Sequence, residues 1–431
     1  MCNSMNQIYR RRFLSLAAAG TVGLGALRWS HLLSSEHRDA RPLPLFNENG
    51  PDPTTLFLTW QRDPTTTMTI QWLAPDAASD TAIRFAPLAQ AEFKRRETAT
   101  KPYPGTELKV HRCELTGLVP DTDYQFQIGS STKIYRFRTM PEKATNAIRF
   151  VSGGDSGTNR HAVANNILAA KQDPQFVLFG GDLAYDFGRS PGTFTRFLQN
   201  YRKHMVDSSD RLIPMLACIG NHDVNGQFGR TRSDGPQYFS VFDGLYSERT
   251  FNVMDFGDYL SIVMLDTGHV APVTGEQTDW LKTTLAEREE RQHLIVVNHV
   301  PAYPSHRQFF KRSPGDQSVG EDQRQNWCPL FERYKVDVVL EHHDHTFKRT
   351  HPLTNGLKDK NGVVYLGDGS WGKVRSPKSP AERPYLAAVA GSYHVSVHQL
   401  EGKQETHTAL DEGGKVADRT VMDDKRPSRR G

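Results

Sequence analysis

Cysteine is scarce: the chain has four in 431 residues, at positions 2, 113, 218 and 328. Cys2 precedes an N-terminal signal-like segment, and the three that remain exclude a disulfide framework as the basis of the fold. Cys218 lies in an apolar run and reads as a buried thiol. A Cys113–Cys328 bridge between domains is open on the sequence, with nothing to support it. A strong charge imbalance is also missing. The net charge is +4, and the basic clusters Arg10 to Arg12 and Lys425, Arg426, Arg429, Arg430 lie near the two ends. No basic face for nucleic acid is therefore indicated. The uncharged run Phe13 to Leu27 is too short, and too rich in Gly and Ala, to make a stable membrane span. What is left is an ordinary globular composition, 37% hydrophobic and 24% charged, long enough for two domains.

Residues 1–45 read as a signal and a loose linker. Arg10-Arg11-Arg12-Phe13-Leu14 resembles a twin-arginine export signal, although Tyr9 and Ser15 depart from its usual flanks. The expectation is export of a folded protein, to a periplasm or beyond, with the cleavage site unresolved.

Residues 46–142 show no helical period. Short alternating runs (56–60, 67–72, 81–85, 110–115, 123–128 and 134–139) are separated by turn-forming residues, which predicts an all-β sandwich of immunoglobulin or fibronectin III type. Leu115 to Tyr124, with Pro120-Asp121-Thr122-Asp123 inside it, resembles the tyrosine corner of a fibronectin III domain. This region holds no cluster of metal ligands or nucleophiles, and its expected role is to pack against the domain that follows.

Residues 143–400 alternate between apolar strand runs and amphipathic helices, among them 162–171, 193–204, 277–290 and 324–334, an α/β layered pattern. Residues 252–256 and 259–266 can pair through Gly257-Asp258. From about residue 401 the chain turns polar and reads as a disordered tail. In open α/β sheets ligands collect at the carboxyl ends of strands, and the chemically active residues fall there. Asp155 follows the first strand in Gly153-Gly154-Asp155-Ser156-Gly157. Asp182 and Tyr185 follow the second in Gly180-Gly181-Asp182-Leu183-Ala184-Tyr185. Asn221 and His222 follow the third in Gly220-Asn221-His222-Asp223. His299 follows Val296-Val297-Asn298, and His343 and His345 follow the buried run Val336 to Leu340. The glycines let the backbone turn so that short side chains reach inward. Carboxylate, amide and imidazole together suit iron, zinc or manganese. Each piece alone has a bland reading as a turn or a core histidine; five in order at strand ends are hard to obtain by chance.

These ordered motifs, Gly-Asp-x-Gly, Gly-Asp-x-x-Tyr, Gly-Asn-His-Asp, Val-x-x-His and His-x-His, resemble the calcineurin-like metallophosphoesterases. Tyr185, three residues after Asp182, narrows the resemblance to the purple acid phosphatases. The β domain in front is similar to that of plant-type members. The resemblance implies a metallophosphoesterase sandwich with a binuclear centre. Asp155, Tyr185 and His345 would hold a ferric ion, and Asp182 would bridge it to a divalent zinc, iron or manganese completed by Asn221, His299 and His343. It also implies in-line hydrolysis of a small phosphoester, with His222 as the group that binds phosphate or protonates the leaving oxygen and His306 as a second such group. Two residues depart from the family pattern. Asp223 stands for the usual Glu, with little effect expected. His342 stands for the usual Gly before His343, with an imidazole expected to tilt the loop or face solvent. Residues 187–192 and 226–236 are expected to shape the rim, with Arg230 and Arg232 available to phosphate. Phosphomonoester hydrolysis is the leading expectation. Phosphodiester or nucleotide hydrolysis with two divalent ions is the alternative, and an exported binding protein with a vestigial site is a third that the complete ligand set argues against.

Overall fold

Strands with bulky residues on one face need a second apolar face to cover them, and the N-terminal region supplies two. The computed structural model describes residues 52–75, 80–309 and 318–423; the twin-arginine segment lies outside them. One four-stranded sheet runs Phe57–Thr59, Met68–Pro75, Leu108–Leu115, Ala99–Pro102 in spatial order, and the other Lys94–Arg96, Ile83–Pro87, Asp123–Ile128, Tyr135–Arg138. Trp60, Trp72, Phe126 and Phe137 are buried in one core with them. The tyrosine corner forms as the sequence predicts: the Tyr124 hydroxyl accepts the Val119 N–H at 2.9 Å. Lys94–Arg96 and Ala99–Pro102 escape the sequence reading because they are exposed edge strands without an apolar side.

The region that follows is built on two larger sheets. In the six-stranded sheet Ile148–Gly153, Phe176–Gly180 and Met215–Cys218 are parallel neighbours. In the seven-stranded sheet Leu260–Met264, His293–Asn298, Val338–Glu341 and Val364–Asp368 are parallel, with Asn252–Phe256 added antiparallel through the predicted turn. Alternate residues explain why these strands read as unbroken apolar runs. Ile295, Val297, Val338 and Leu340 join the core that contains Phe150 and Phe176. Leu294, Val296 and Val339 face the other way, onto Leu281, Leu285, Trp327 and Phe331 of the covering helices. The sandwich domain shares the first core: Trp60 meets the rings of Phe176 and Phe256 edge-on at 6.0 and 5.8 Å.

Three expectations are corrected. The helix predicted over 324–334 is two short helices, Glu321–Asn326 and Cys328–Arg333, divided before Pro329, which has no N–H to continue a ladder. The polar segment after residue 401 is not a tail as far as residue 423. Gln404–Asp411 and Val416–Asp423 extend the six-stranded sheet beside His394–Glu401. It reads as polar because its buried positions carry Glu405 and His407 in place of aliphatic residues. Cys113, Cys218 and Cys328 are buried thiols outside any disulfide, so no Cys113–Cys328 bridge forms.

Candidate metal centre

Parallel strands that end together deliver their next residues to one place. The residues after Gly153, Gly180, Cys218, Asn298 and Glu341 supply Asp155, Asp182, Tyr185, Asn221, His222, His299, His343 and His345. Turning those side chains inward forces unusual backbone. Asp155, Asp182, Tyr185, His343 and His345 have φ of 57°, 54°, 59°, 63° and 59°. Left-handed backbone at a non-glycine residue costs about 1–3 kcal/mol. Strain gathered on five neighbouring polar residues marks a site built for something other than stability.

The donors fall into two adjoining groups. In the first, the Tyr185 hydroxyl lies 2.9 Å from Asp155 Oδ1 and 3.1 Å from His345 Nε2, and the latter two are 2.9 Å apart. In the second, His299 Nε2 lies 3.1 Å from His343 Nδ1, 3.2 Å from Asn221 Oδ1 and 3.4 Å from Asp182 Oδ2. One donor atom each from Asp182, His299 and His343 lies within 4.8 Å of the others. Proton bookkeeping shows what the second group lacks. His299 Nδ1 lies 2.8 Å from the Gly180 carbonyl, which can only accept, so Nδ1 carries the proton. In a neutral ring Nε2 is then a lone pair facing a carboxylate, an amide oxygen when Asn221 is so oriented, and a second imidazole. Asp182 Oδ2 is buried and has no hydrogen-bond partner. Acceptors converging on acceptors are stable only around a cation. Burial opposes charge on His299, but Asp182 and Asp155 outweigh it and push its pKa up to about 9. These residues fit a metal.

The surrounding residues hold this arrangement. Asp223 is buried and accepts the N–H groups of Asp182 (2.9 Å), Leu183 (3.0 Å) and Gly220 (2.8 Å), fixing the turn that presents Asp182. His342 does not face solvent. It is 1% exposed, gives Nδ1 to the Asn298 carbonyl at 2.9 Å, and fills the space left by Gly180, where a Cβ would stand 1.8 Å from its ring. Glu341 accepts the Ala302 N–H at 2.6 Å and pairs with buried Lys348, whose ammonium also reaches the Tyr303 carbonyl at 2.7 Å, tying down the segment after His299.

His222 stands at the rim, 24% exposed in its side chain, with its ring stacked on Tyr185 at 4.5 Å and its Nε2 3.8 Å from Asp182 Oδ2. Burial lowers its pKa. His306 makes no hydrogen bond or ring contact with the eight clustered residues. Its Nδ1 lies 2.8 Å from the Ser376 carbonyl and its N–H donates to Asp344 at 2.7 Å. Arg230 pairs with Gln227, and Arg232 lies 4.1 Å over the Phe239 ring. Arg307 and His269 were not singled out in the sequence. Arg307 donates to the His343 carbonyl at 2.9 and 3.2 Å. His269 is buried, 5.5 Å from the His299 ring, and burial drops its pKa to about 3. The position of His269 after the strand Leu260–Met264 was the available signal; Arg307 offered none.

The chain is similar to known proteins over most of its length. Residues 53–139 match the purple acid phosphatase N-terminal domain and residues 150–347 the calcineurin-like phosphoesterase domain. An uncharacterized protein of Mycobacterium tuberculosis is 29% identical, over 81% of this chain and 72% of its own. Purple acid phosphatase 21 of Arabidopsis thaliana is 24% identical, over 74% and 73%. The solved purple acid phosphatase PPD1 of yellow lupin superposes with a TM-score of 0.69 at 16% identity, covering 86% of this chain and 74% of the lupin chain, and so shares its fold. Matched family domains in this order, the shared fold and a cluster of metal-ligand side chains at the strand ends together place the chain among the purple acid phosphatases, acid phosphatases of the calcineurin-like metallophosphoesterase superfamily.

Proposed function

We propose that this protein is exported along a twin-arginine route and hydrolyses small phosphate monoesters at a binuclear centre of ferric iron and a divalent zinc, iron or manganese. The observation that carries the reading is the first donor group, in which the Tyr185 hydroxyl meets Asp155 Oδ1 at 2.9 Å and His345 Nε2 at 3.1 Å. Phenolate, carboxylate and imidazole suit a hard trivalent ion, whereas Asn221, His299 and His343 suit a divalent one, with Asp182 shared between them. When bound, the metals would supply the charge that holds the phosphoryl oxygens and acidifies the attacking water.

The protein's own residues divide the remaining work. His299, fixed by the Gly180 carbonyl, and Asp182, fixed by the loop that Asp223 holds, set the direction of the donor atoms. His222 is the residue suited to the leaving oxygen. It lies at the rim, its ring is held between Tyr185 and Phe187 at 4.5 Å each, and its lowered pKa leaves it neutral until a phosphate dianion arrives to support a proton. His306 is better suited to joining loops than to proton transfer, given its bond to Ser376. Export rests on the arginine pattern of residues 10–12. Among the described residues, no helix is long and apolar enough to cross a membrane.

The test is the visible absorption spectrum of aerobically purified protein, with paired assays on a monoester and a diester of one leaving group. A broad charge-transfer band that disappears in Tyr185→Phe, with faster monoester turnover, is the expected result. A colourless protein that still contains metal would overturn the ferric assignment, and faster diester turnover would overturn the substrate assignment.

A further inference from the structure

One flank of the centre carries positive charge that the chemistry above does not use. Arg307 is held on the His343 carbonyl by two hydrogen bonds, 2.9 and 3.2 Å. Lys373 places its ammonium 4.8 Å from the Tyr185 ring centroid, a cation–π contact. Arg375 is anchored through its N–H to the His345 carbonyl at 2.7 Å, and is close enough to Arg307 for their charges to repel. These residues come from two loops locked together, since His306 Nδ1 bonds the Ser376 carbonyl at 2.8 Å and the Lys378 N–H bonds the Ser305 carbonyl at 2.7 Å.

Some cations elsewhere in the protein are neutralised. Arg112 and Lys101 share Asp243, and Arg288 has Asp255 at 2.8 Å. Among the described residues Lys373 and Arg375 have no carboxylate partner, and the Asp344 carboxylate, 3.6 Å from Arg307, is already engaged by the N–H groups of His306 and Arg307. The rim beside His222 and His269 is different in kind. Phe187 and Phe228 are 39% and 52% exposed and pack on the rings of His222 and His269 at 4.5 and 4.9 Å. A leaving group therefore meets an aromatic rim beside His222 and, beside His343 and His345, a cationic one in which only Arg307 faces a carboxylate.

We propose that Lys373, Arg375 and Arg307 form a second anion subsite beside the metal centre, selecting phosphoesters whose leaving group carries a further phosphate or carboxylate. The proposal rests on the phosphohydrolase reading above. It assigns the phosphoryl group being transferred to the metals and the second anion to the two loops. Lys373 supplies a mobile point charge and the two arginines supply directional donors.

Calorimetric binding to the full, metal-loaded chain tests it with three probes: methylphosphonate, phosphonoacetate and methylenebisphosphonate. The wild type should bind at least one two-anion probe about tenfold or more tighter than methylphosphonate, as expected for charge-assisted contacts. The Lys373→Gln/Arg375→Gln double variant should lose most of that ratio at unchanged metal content and melting temperature, and each single variant should lose part of it. Phosphonoacetate against methylenebisphosphonate decides between carboxylate and phosphate as the second anion. No preference in the wild type, or an equal loss for all three probes in the variants, would overturn the subsite. Turnover of phenyl phosphate by the wild type separates the two readings. Preference without turnover defeats the hydrolase reading and leaves the subsite standing, while turnover without preference does the reverse.

Discussion

Replacing Glu405 with Gln should destabilise this protein in mild acid and much less in mild alkali. Glu405 sits in a buried chain of hydrogen bonds far from the metal centre, at the opposite end of the strand that delivers His299. Its Oε1 lies 2.7 Å from His293 Nδ1 and its Oε2 3.1 Å from His407 Nε2. His407 Nδ1 lies 2.7 Å from His398 Nδ1, and His398 Nε2 lies 2.7 Å from the Ser152 hydroxyl. His293 Nε2 faces the Gly402 carbonyl at 2.9 Å, so it must carry a proton. A carboxylate at Glu405 can only accept, so His407 gives it Nε2–H, His398 gives His407 its Nδ1–H, and Ser152 gives His398 its hydroxyl hydrogen. That leaves one charge pair, imidazolium at His293 and carboxylate at Glu405, joining the two sheets of the catalytic domain. Burial opposes both charges, yet the hydrogen bonds from His293 and His407 hold Glu405 well below its ordinary value of 4.5, and Glu405 raises His293 above its ordinary 6.5.

The sign follows from those directions. The depressed carboxyl contributes stability above about pH 4.5 that is lost as pH falls through its folded value. The raised imidazole contributes stability below about pH 6.5 that is lost as pH rises through its own. Between these limits the variant takes the counter-ion from the buried His293 ring, which must either stay charged and unpaired or give up its proton, and breaking a buried pair in this way costs about 3–5 kcal/mol. Above the folded pKa of His293 the ring is neutral, the Gln amide can donate to its Nδ1 while still accepting from His407, and the cost falls to about 1 kcal/mol. Urea unfolding of both proteins at about pH 5.5 and about pH 9 measures the difference. An equal loss at the two pH values would refute the proton assignment. Glu405→Leu, which removes the acceptor outright, should cost about 3 kcal/mol or more at both.

Two other substitutions probe the metal centre. Gly180→Ala puts a Cβ 1.8 Å from the His342 ring. It should cost about 3 kcal/mol or more through overpacking, and markedly less in a His342→Ala background, as read by a double-mutant cycle in thermal unfolding. Asp223→Asn keeps the shape but removes an acceptor oxygen from the three backbone N–H groups at the Asp182 turn. Metal affinity, measured by competition with a chelator, should fall about 10–100-fold.

The order of the parts was legible in the sequence. Apolar runs ending in Gly-Asp, Gly-Asn-His or His-x-His named the strands and the residues that follow them, because strand geometry and ligand chemistry are both local properties. The tyrosine corner was legible for the same reason. Hidden elements were those whose local pattern misleads. Gln404–Asp411 reads as polar because Glu405 and His407 are buried as a charge-balanced chain, and no neighbour in sequence reveals the partner at His293. His342 looked solvent-facing because only the fold brings Gly180 and Gly154 against its ring. The left-handed backbone at Asp155, Asp182, Tyr185, His343 and His345 is imposed by the packed sheets around it. The cationic flank was decided by tertiary structure alone. Arg307, Lys373 and Arg375 are ordinary surface residues in the sequence, and become neighbours of the site only because two loops bond to each other and to the carbonyls of His343 and His345.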